Sequence, residues 1–161
     1  MKDEAWALDE EAKSECDEAK RAGCLFYEMP WEIKWELVDP LIRNAVRRLN
    51  GSGYVWSAES CEGHPDAAVP GAWASNTSPM LRLVARKMNQ GTVVYRLFEA
   101  YEAVKKAAEQ AKQPFELGGY RMHPQQRGAW AETLVYVSAL NVFQRNQGIQ
   151  VFEKFAELVT R

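Results

Sequence analysis

The segment Thr92–Lys112 constrains the fold most, because it reads as a long helix with one apolar side. Its apolar residues recur three or four positions apart: Val93, Val94, Leu97, Tyr101, Val104 and Ala108. This spacing is typical of a helix that buries a single face. Pro114 bounds the segment. A one-sided helix must be covered by another layer, so the chain is predicted to form a layered domain.

Three further helices are predicted. Asp39–Pro40 is a good helix start, with Asp39 as the N-cap and proline at the first position, and this helix continues to Leu49. Another runs from Val142 to Thr160. Residues 3–24 are rich in Glu, Ala and Lys and end at Gly23, which predicts an exposed helix with a thin apolar face. We expect this N-terminal helix to pack loosely on the body or on a second copy.

Short apolar stretches between the helices predict strands. They are Tyr54–Ser57, Met80–Arg86, Phe115–His123 and Ala131–Leu140, the last two joined by a Pro124–Gly128 turn. Alternation at Trp31, Ile33, Trp35 and Leu37 favours a strand within 25–37, with a helix starting near Trp31 as the alternative. The prediction is an α+β fold with a mostly antiparallel sheet of about four or five strands. A single domain, 1–161, would comprise a peripheral helix, 1–24, and a body, 25–161.

Composition excludes some classes of function. The net charge of −2 gives no reason to expect strong binding to nucleic acid or to an anionic membrane. No apolar run is long enough to span a bilayer, and the acidic start lacks the features of a signal peptide. Three cysteines, an odd number, do not suggest a disulfide framework. We therefore expect a cytoplasmic protein.

The run Ser60-Cys61-Glu62-Gly63-His64-Pro65 is the candidate site. Gly63 suits a turn with positive φ, which could aim Cys61 and His64 into the same space. Thiol and imidazole suit nucleophilic chemistry near neutral pH or the binding of a soft metal. As a catalytic pair, His64 would help form the Cys61 thiolate. The alternative is a structural turn shaped by a buried cysteine and a hydrogen-bonded histidine.

A metal site at this loop would need ligands beyond Cys61 and His64, since zinc usually takes three or four from the protein. His123 is the only other histidine and is the natural third ligand. A fourth is hard to find, so we expect no bound metal. Without a metal, the predicted ligand pocket is lined by Ser60, Glu62, Gly63 and His123, together with Cys61 and His64.

Basic residues on the predicted strands suggest a second element of that pocket. Arg82 and Arg86 lie on the strand Met80–Arg86, and they could form a groove for a phosphate or nucleotide. A solvated sheet face is the alternative interpretation.

The loop also resembles a known signature. The stretch Ser57-Ala58-Glu59-Ser60-Cys61-Glu62-Gly63-His64 is similar to the Ser-Cys-x-Gly-Arg signature of the tRNA wybutosine-synthesising protein 3 family, with His64 in place of arginine. It also resembles small phage and bacterial proteins that carry a Ser-Cys-Glu-Gly-His loop. The wybutosine resemblance implies methyl transfer to a tRNA base with S-adenosylmethionine. The chain shows no separate methyl-donor motif, so the resemblance locates a site and does not carry the activity.

The leading functional hypothesis is a small soluble binding or regulatory protein, in line with the resemblance to phage proteins. Its ligand would be a small molecule or nucleotide, and the cofactor is unknown. The alternative is a nucleotide- or RNA-acting enzyme, methyltransferase-like or dependent on a metal or thiol, that uses Cys61 and His64. Whether the protein is an enzyme stays open, as does a protein partner or homodimer formed through the N-terminal helix.

Overall fold

A computed structural model describes residues 10–65 and 77–160 of the chain. The helices and strands there, in chain order, are α1 (Glu10–Arg21), α2 (Arg43–Gly51), β1 (Val55–Cys61), β2 (Met80–Arg86), α3 (Gln90–Gln110), β3 (Tyr120–Arg127), β4 (Trp130–Val137) and α4 (Val142–Val159). The strands form one antiparallel sheet in the order β1-β2-β4-β3. The predicted α+β class is confirmed, with four strands in this sheet.

One face of the sheet is covered by α2, α3 and α4, which share a single hydrophobic core with it. The core includes Leu49 of α2, Leu97 of α3 and Phe152 of α4, all at most 1% exposed, packed with Leu81 and Leu83 of β2. The apolar stripes predicted for α2 and α3 therefore do face a common sheet.

The other face of the sheet is covered by α1 and the segment that follows it. Cys16 and Ala19 of α1 are fully buried, in a second cluster that contains Trp56 of β1 and Trp130 of β4. Gly23 has φ of +103° and follows the helix, as expected of a residue that ends it. The N-terminal helix is present as predicted, but its packing is tighter than its thin apolar face suggested. The first nine residues lie outside the described part of the chain.

Three predictions about local structure are wrong. Residues 25–37 form no strand: they contain the 3-10 turns Pro30–Glu32 and Trp35–Leu37. The helix after Asp39 begins only at Arg43, and Ile42, not Asp39, occupies the N-cap position. Trp31, Ile33 and Trp35 are half-buried while the charged residues between them are exposed, so a backbone with two tight turns shows the same alternation as a strand.

The third error concerns the last hairpin. β3 runs through Pro124 to Arg127, which pairs with Trp130, so the turn is Gly128 and Ala129 rather than Pro124–Gly128. Pro124 is tolerated because β3 is an edge strand, where a missing backbone N–H can face solvent. Gly128 takes a positive φ of +64°, as a tight hairpin turn requires.

Candidate functional site

The candidate loop begins where β1 ends. Cys61 is the last residue of β1 and pairs with Met80 of β2, after a shift of register between Ser57 and Glu59. Such an irregularity changes which side chains of a strand face a given side. The position of Cys61 within the site therefore depends on this bulge as well as on the loop that follows it.

Gly63 shapes the turn after Cys61. Its φ is +83°, and its N–H lies 3.4 Å from Cys61 Sγ. A Cβ at this position would lie 2.5 Å from the Thr77 carbonyl oxygen and 3.0 Å from Pro79 N. The prediction of a positive-φ glycine turn is confirmed, and close approach by the backbone of the segment just before β2 adds a second reason for glycine.

Asp39 joins the loop from the turn before α2. Its Oδ2 accepts a hydrogen bond from the Glu62 backbone N–H at 3.0 Å. In return, Glu62 Oε2 accepts one from the Leu41 backbone N–H at 2.9 Å. This reciprocal pair fixes the end of β1 to the segment that leads into α2, and it explains why Asp39 does not cap the helix.

The three side chains Asp39, Cys61 and His64 converge. One donor atom from each lies within 4.8 Å of the other two, and His64 Nε2 is 3.4 Å from Asp39 Oδ2. The side chains of His64 and Asp39 are 40% and 30% exposed, so solvent reaches the cluster. The expected closeness of Cys61 and His64 is confirmed, and Asp39 is a third member that the sequence did not reveal.

The Cys61 thiol is held in its protonated form by its surroundings. Burial raises the pKa of Cys61, and the negative charge of Asp39 raises that pKa further. The Gly63 N–H works in the opposite direction, because it stabilises a thiolate. Together these effects favour the neutral thiol of Cys61, unless a cation balances the negative charges of Asp39 and of the Cys61 thiolate.

Arg145 supports the loop from α4. Arg145 is 8% exposed, and its Nη1 donates a hydrogen bond to the Gly63 carbonyl at 2.8 Å. A hydrogen bond from a charged donor to a buried carbonyl is strong. The polar neighbours Asn141, Gln144 and Asn146 make this part of α4 look exposed in the sequence, so no signal there identifies Arg145 as a support for a loop 82 positions away.

His123 does not join this cluster. It lies on β3, at the opposite edge of the sheet from β1, and is paired with Leu134 of β4. Three strand spacings separate the edges, roughly 14 Å. The expectation that His123 would be near Cys61 is wrong because the two hairpins are joined through β2 and β4.

Ser60, also predicted at the site, lines a small pocket of about 100 Å³ with Tyr27 and Val46, and the lining of that pocket does not include Cys61 or His64.

Arg82 and Arg86 form no open basic groove. Arg82 makes ion pairs with Glu59 at 3.0 Å and with Glu132 at 2.6 Å. Arg86 pairs with Glu15 of α1 at 2.7 Å and lies over the Trp130 ring, 4.7 Å from its centroid. Carboxylates therefore occupy the positions in which a phosphate was expected: Arg82 links β2 to β1 and β4, and Arg86 holds α1 on the sheet.

Comparisons with known proteins give no relative for this chain: no protein-family model, no curated protein and no solved structure matches it. The resemblance to the wybutosine-synthesising family and to phage proteins therefore stays a prediction. Within the described residues, no helix has the length and apolar character needed to cross a membrane.

Proposed function

We propose that this protein is a small binding module for a divalent transition-metal ion of the zinc class, held by Asp39, Cys61 and His64. The observation that carries the proposal is the convergence of their three donor atoms within 4.8 Å. This proposal departs from the expectation of no metal, which rested on the lack of a fourth protein ligand. Asp39 takes the third position that was assigned to His123, and three protein ligands suffice for a zinc site with an exchangeable fourth group.

The donor set supports a borderline-soft ion. Thiolate and imidazole favour Zn²⁺ over Mg²⁺ or Ca²⁺, which prefer oxygen ligands throughout. In a tetrahedral site with bonds of about 2.0–2.1 Å to N and O, two such ligand atoms lie about 3.3–3.4 Å apart. The separation of 3.4 Å between His64 Nε2 and Asp39 Oδ2 fits that edge without rearrangement.

The surrounding contacts support a site that is held in place. The Glu62 N–H donates to Asp39, which orients the carboxylate, and Arg145 holds the carbonyl of Gly63, next to His64. Hydrogen bonds to metal ligands, or to the loop that carries them, orient the ligands and tune the affinity of the site for the metal.

The charges of the ligands suit a divalent ion. An ionised Asp39 and a Cys61 thiolate together carry two negative charges, which balance the ion when His64 is neutral. The proposed role is binding or regulation.

The test is retention of zinc by the purified chain. The protein is prepared without chelator, loaded with Zn²⁺, passed over a desalting column and analysed for metal. Stoichiometric zinc is expected in the native chain, and its loss is expected in Cys61→Ser and His64→Asn. His123→Asn is the matched control, since it removes the other histidine and should leave zinc binding unchanged.

Thermal unfolding of each variant distinguishes a lost ligand from a lost fold. A native chain that retains no zinc would refute the proposal. So would equal retention by Cys61→Ser.

A further inference from the structure

The outward face of α3 carries an apolar patch that nothing in the described part of the chain covers. Tyr95 and Phe98 are 59% and 48% exposed, and Met88, in the 3-10 turn Lys87–Asn89 that leads into α3, is 83% exposed. Gly91 lies three residues after Met88 and four before Tyr95, and residues at these spacings share one face of a helix. We call these four residues the α3 patch.

Gly91 is a small position within this patch that the single chain does not explain. It has no positive φ, and among the described residues a Cβ there would meet no atom within 4 Å beyond its chain neighbours and the nearby backbone of its own helix. Glycine is less favourable than alanine in a helix. A glycine exposed between Met88 and Tyr95 is typical of a position at which another surface approaches the helix closely.

A hollow lies beside Met88, between the start of α3 and the turn of the last hairpin. Its volume is about 510 Å³, and it is lined by Arg86, Lys87, Met88 and Ala129. The lining is mostly apolar, because arginine and lysine contribute long hydrocarbon stems. The hollow is large enough to accept an aromatic ring.

The α3 patch is complementary to a second copy of itself. When two α3 helices lie antiparallel and cross at the level of Val93, Tyr95 of each copy lies over Gly91 of the other. Phe98 of each copy then meets Met88 of the other, beside the hollow. Each large side chain meets a small or open position, as a two-fold contact requires, and a thioether against an aromatic ring is a favourable pair.

Charges at the ends of the patch are complementary in the same arrangement. Lys87 immediately precedes the patch, and Glu102 follows Phe98 by one helical turn. Neither Lys87 nor Glu102 has an ion-pair partner within residues 10–65 and 77–160. The antiparallel pair places Lys87 of one copy and Glu102 of the other at the same end of the contact, so opposite charges meet at both ends.

We infer that this protein associates with a second copy of itself through the α3 patch, in an antiparallel two-fold pair. The inference is independent of the proposed metal site, because Asp39, Cys61 and His64 take no part in the contact. A single pair of helices is a small interface, so the dimer is expected at micromolar and higher concentrations of the protein.

The experiment is sedimentation velocity on the full chain, from micromolar to millimolar concentration. A shift from monomer to dimer with rising concentration is expected for the native chain. Phe98→Asp should raise the dissociation constant of the dimer at least about tenfold, as loss of a central aromatic residue does in other interfaces. Leu37→Asp is the matched control at an exposed apolar residue outside the patch, and it should leave the constant unchanged.

Gly91→Leu distinguishes this close contact from general stickiness of an apolar surface. Leucine favours the helix and makes the patch more apolar, so the single chain should keep its free energy of unfolding in urea. Its side chain would occupy the space in which Tyr95 of the other copy lies, and the dimer should weaken by a factor similar to that of Phe98→Asp. Association as strong as in the native chain, or stronger, would overturn the inference.

Charge reversal tests the antiparallel orientation. Lys87→Glu and Glu102→Lys should each weaken the dimer, and the double variant should recover most of the loss. A double variant no stronger than the single ones would contradict this orientation. A native chain that stays monomeric at every concentration would refute the dimer, and a dimer that Phe98→Asp leaves intact would place the contact elsewhere on the molecule.

Discussion

Asp39 Oδ2 accepts a hydrogen bond from the Glu62 backbone N–H at 3.0 Å, although the two residues are 23 positions apart. The same oxygen lies 3.4 Å from His64 Nε2. A single carboxylate therefore both holds the loop after β1 and takes part in the cluster of Asp39, Cys61 and His64. A substitution that removes the charge of Asp39 but keeps the shape of its side chain separates these two roles.

Asp39→Asn should weaken metal binding while leaving the loop in place. The asparagine carbonyl oxygen can still accept from the Glu62 N–H, but the negative charge and the anionic ligand are lost. Because loss of an outer partner alone costs roughly 10–100-fold in metal affinity, loss of this ligand should cost at least as much. Competition with a chromophoric chelator measures the change.

Glu62→Gln is the matched control for Asp39→Asn. It also removes one carboxylate of the reciprocal pair, and its amide oxygen can still accept from the Leu41 N–H. Its affinity for zinc should stay near the native value, since Glu62 does not belong to the cluster. An equal loss in both variants would show that Asp39 acts only through the loop.

Gly63→Ala should lower the free energy of unfolding by roughly 2–5 kcal/mol. Part of this cost is the positive φ of +83°, which an alanine reaches at about 1–2 kcal/mol. The rest comes from the new Cβ, which would lie 2.5 Å from the Thr77 carbonyl oxygen and must displace backbone. Urea unfolding monitored by tryptophan fluorescence gives the value.

Gly53→Ala separates the two causes. Gly53 has a similar φ of +67°, but no atom beyond its own chain neighbours lies within 4 Å of the position where its Cβ would be. Its substitution should cost only the backbone part, about 1–2 kcal/mol. Equal costs at Gly53 and Gly63 would show that the contact with Thr77 is unimportant.

Elements with strong local patterns could be predicted from the sequence. The stripe in 92–112 and the apolar stretch Met80–Arg86 correspond to α3 and β2. The buried face of α3 determines its pattern, whereas β2 is covered on both faces, with Leu81 and Leu83 in one core cluster and Val84 in the other. Segment 25–37 could not be predicted, since tight turns can produce the same alternation as a strand.

The site could be located from the sequence but not completed. A thiol and an imidazole around a glycine marked Cys61 and His64, because these residue types lie within one short loop. Asp39 and Arg145 come from distant segments, and their proximity depends on how α2 and α4 pack on the sheet. His123 was placed wrongly because strand order is set by pairing across the whole sheet.

Arg82→Met should destabilise the fold by about 3–5 kcal/mol, because it leaves a buried carboxylate without its partner. Glu132 is 2% exposed and accepts from Arg82 at 2.6 Å and from the Leu25 N–H at 2.7 Å. Adding Glu132→Gln should recover much of the loss, since the amide is neutral and its oxygen can still accept from Leu25. Denaturant unfolding of both single variants and of the double variant measures this coupling.

Arg86→Met is the control for Arg82→Met. Arg86 and its partner Glu15 are 35% and 26% exposed, so this ion pair is worth about 1 kcal/mol or less. The stacking of Arg86 on Trp130 adds a contribution of similar size. If Arg86→Met lowered the free energy of unfolding as much as Arg82→Met, the burial of Glu132 would not explain the large cost of Arg82→Met.

The three thiols differ in their surroundings, and this should order their reactivity. Burial raises the pKa of Cys16 to about 12 and that of Cys24 to about 11, with nearby carboxylates adding to both shifts. Burial also raises the pKa of Cys61, although this thiol is only partly buried. A raised pKa lowers the thiolate fraction at any given pH, and the thiolate is the species that reacts.

Metal-free protein should therefore react slowly with iodoacetamide at pH 7. The alkylation rate of an unperturbed thiol stops rising once the pH passes its pKa, whereas the rate of Cys61 should keep rising at higher pH because its pKa is raised. Cys61 should react before Cys16 and Cys24, because both of these are nearly inaccessible as well as protonated. Peptide mass spectrometry after timed alkylation between pH 6 and about 10 resolves the three sites. Unfolding the protein in urea should bring all three to one common rate, which serves as the internal reference. Rapid alkylation of Cys61 alone at low pH would mean that its thiolate is stabilised in the free protein, which would favour thiol-based catalysis over the binding role.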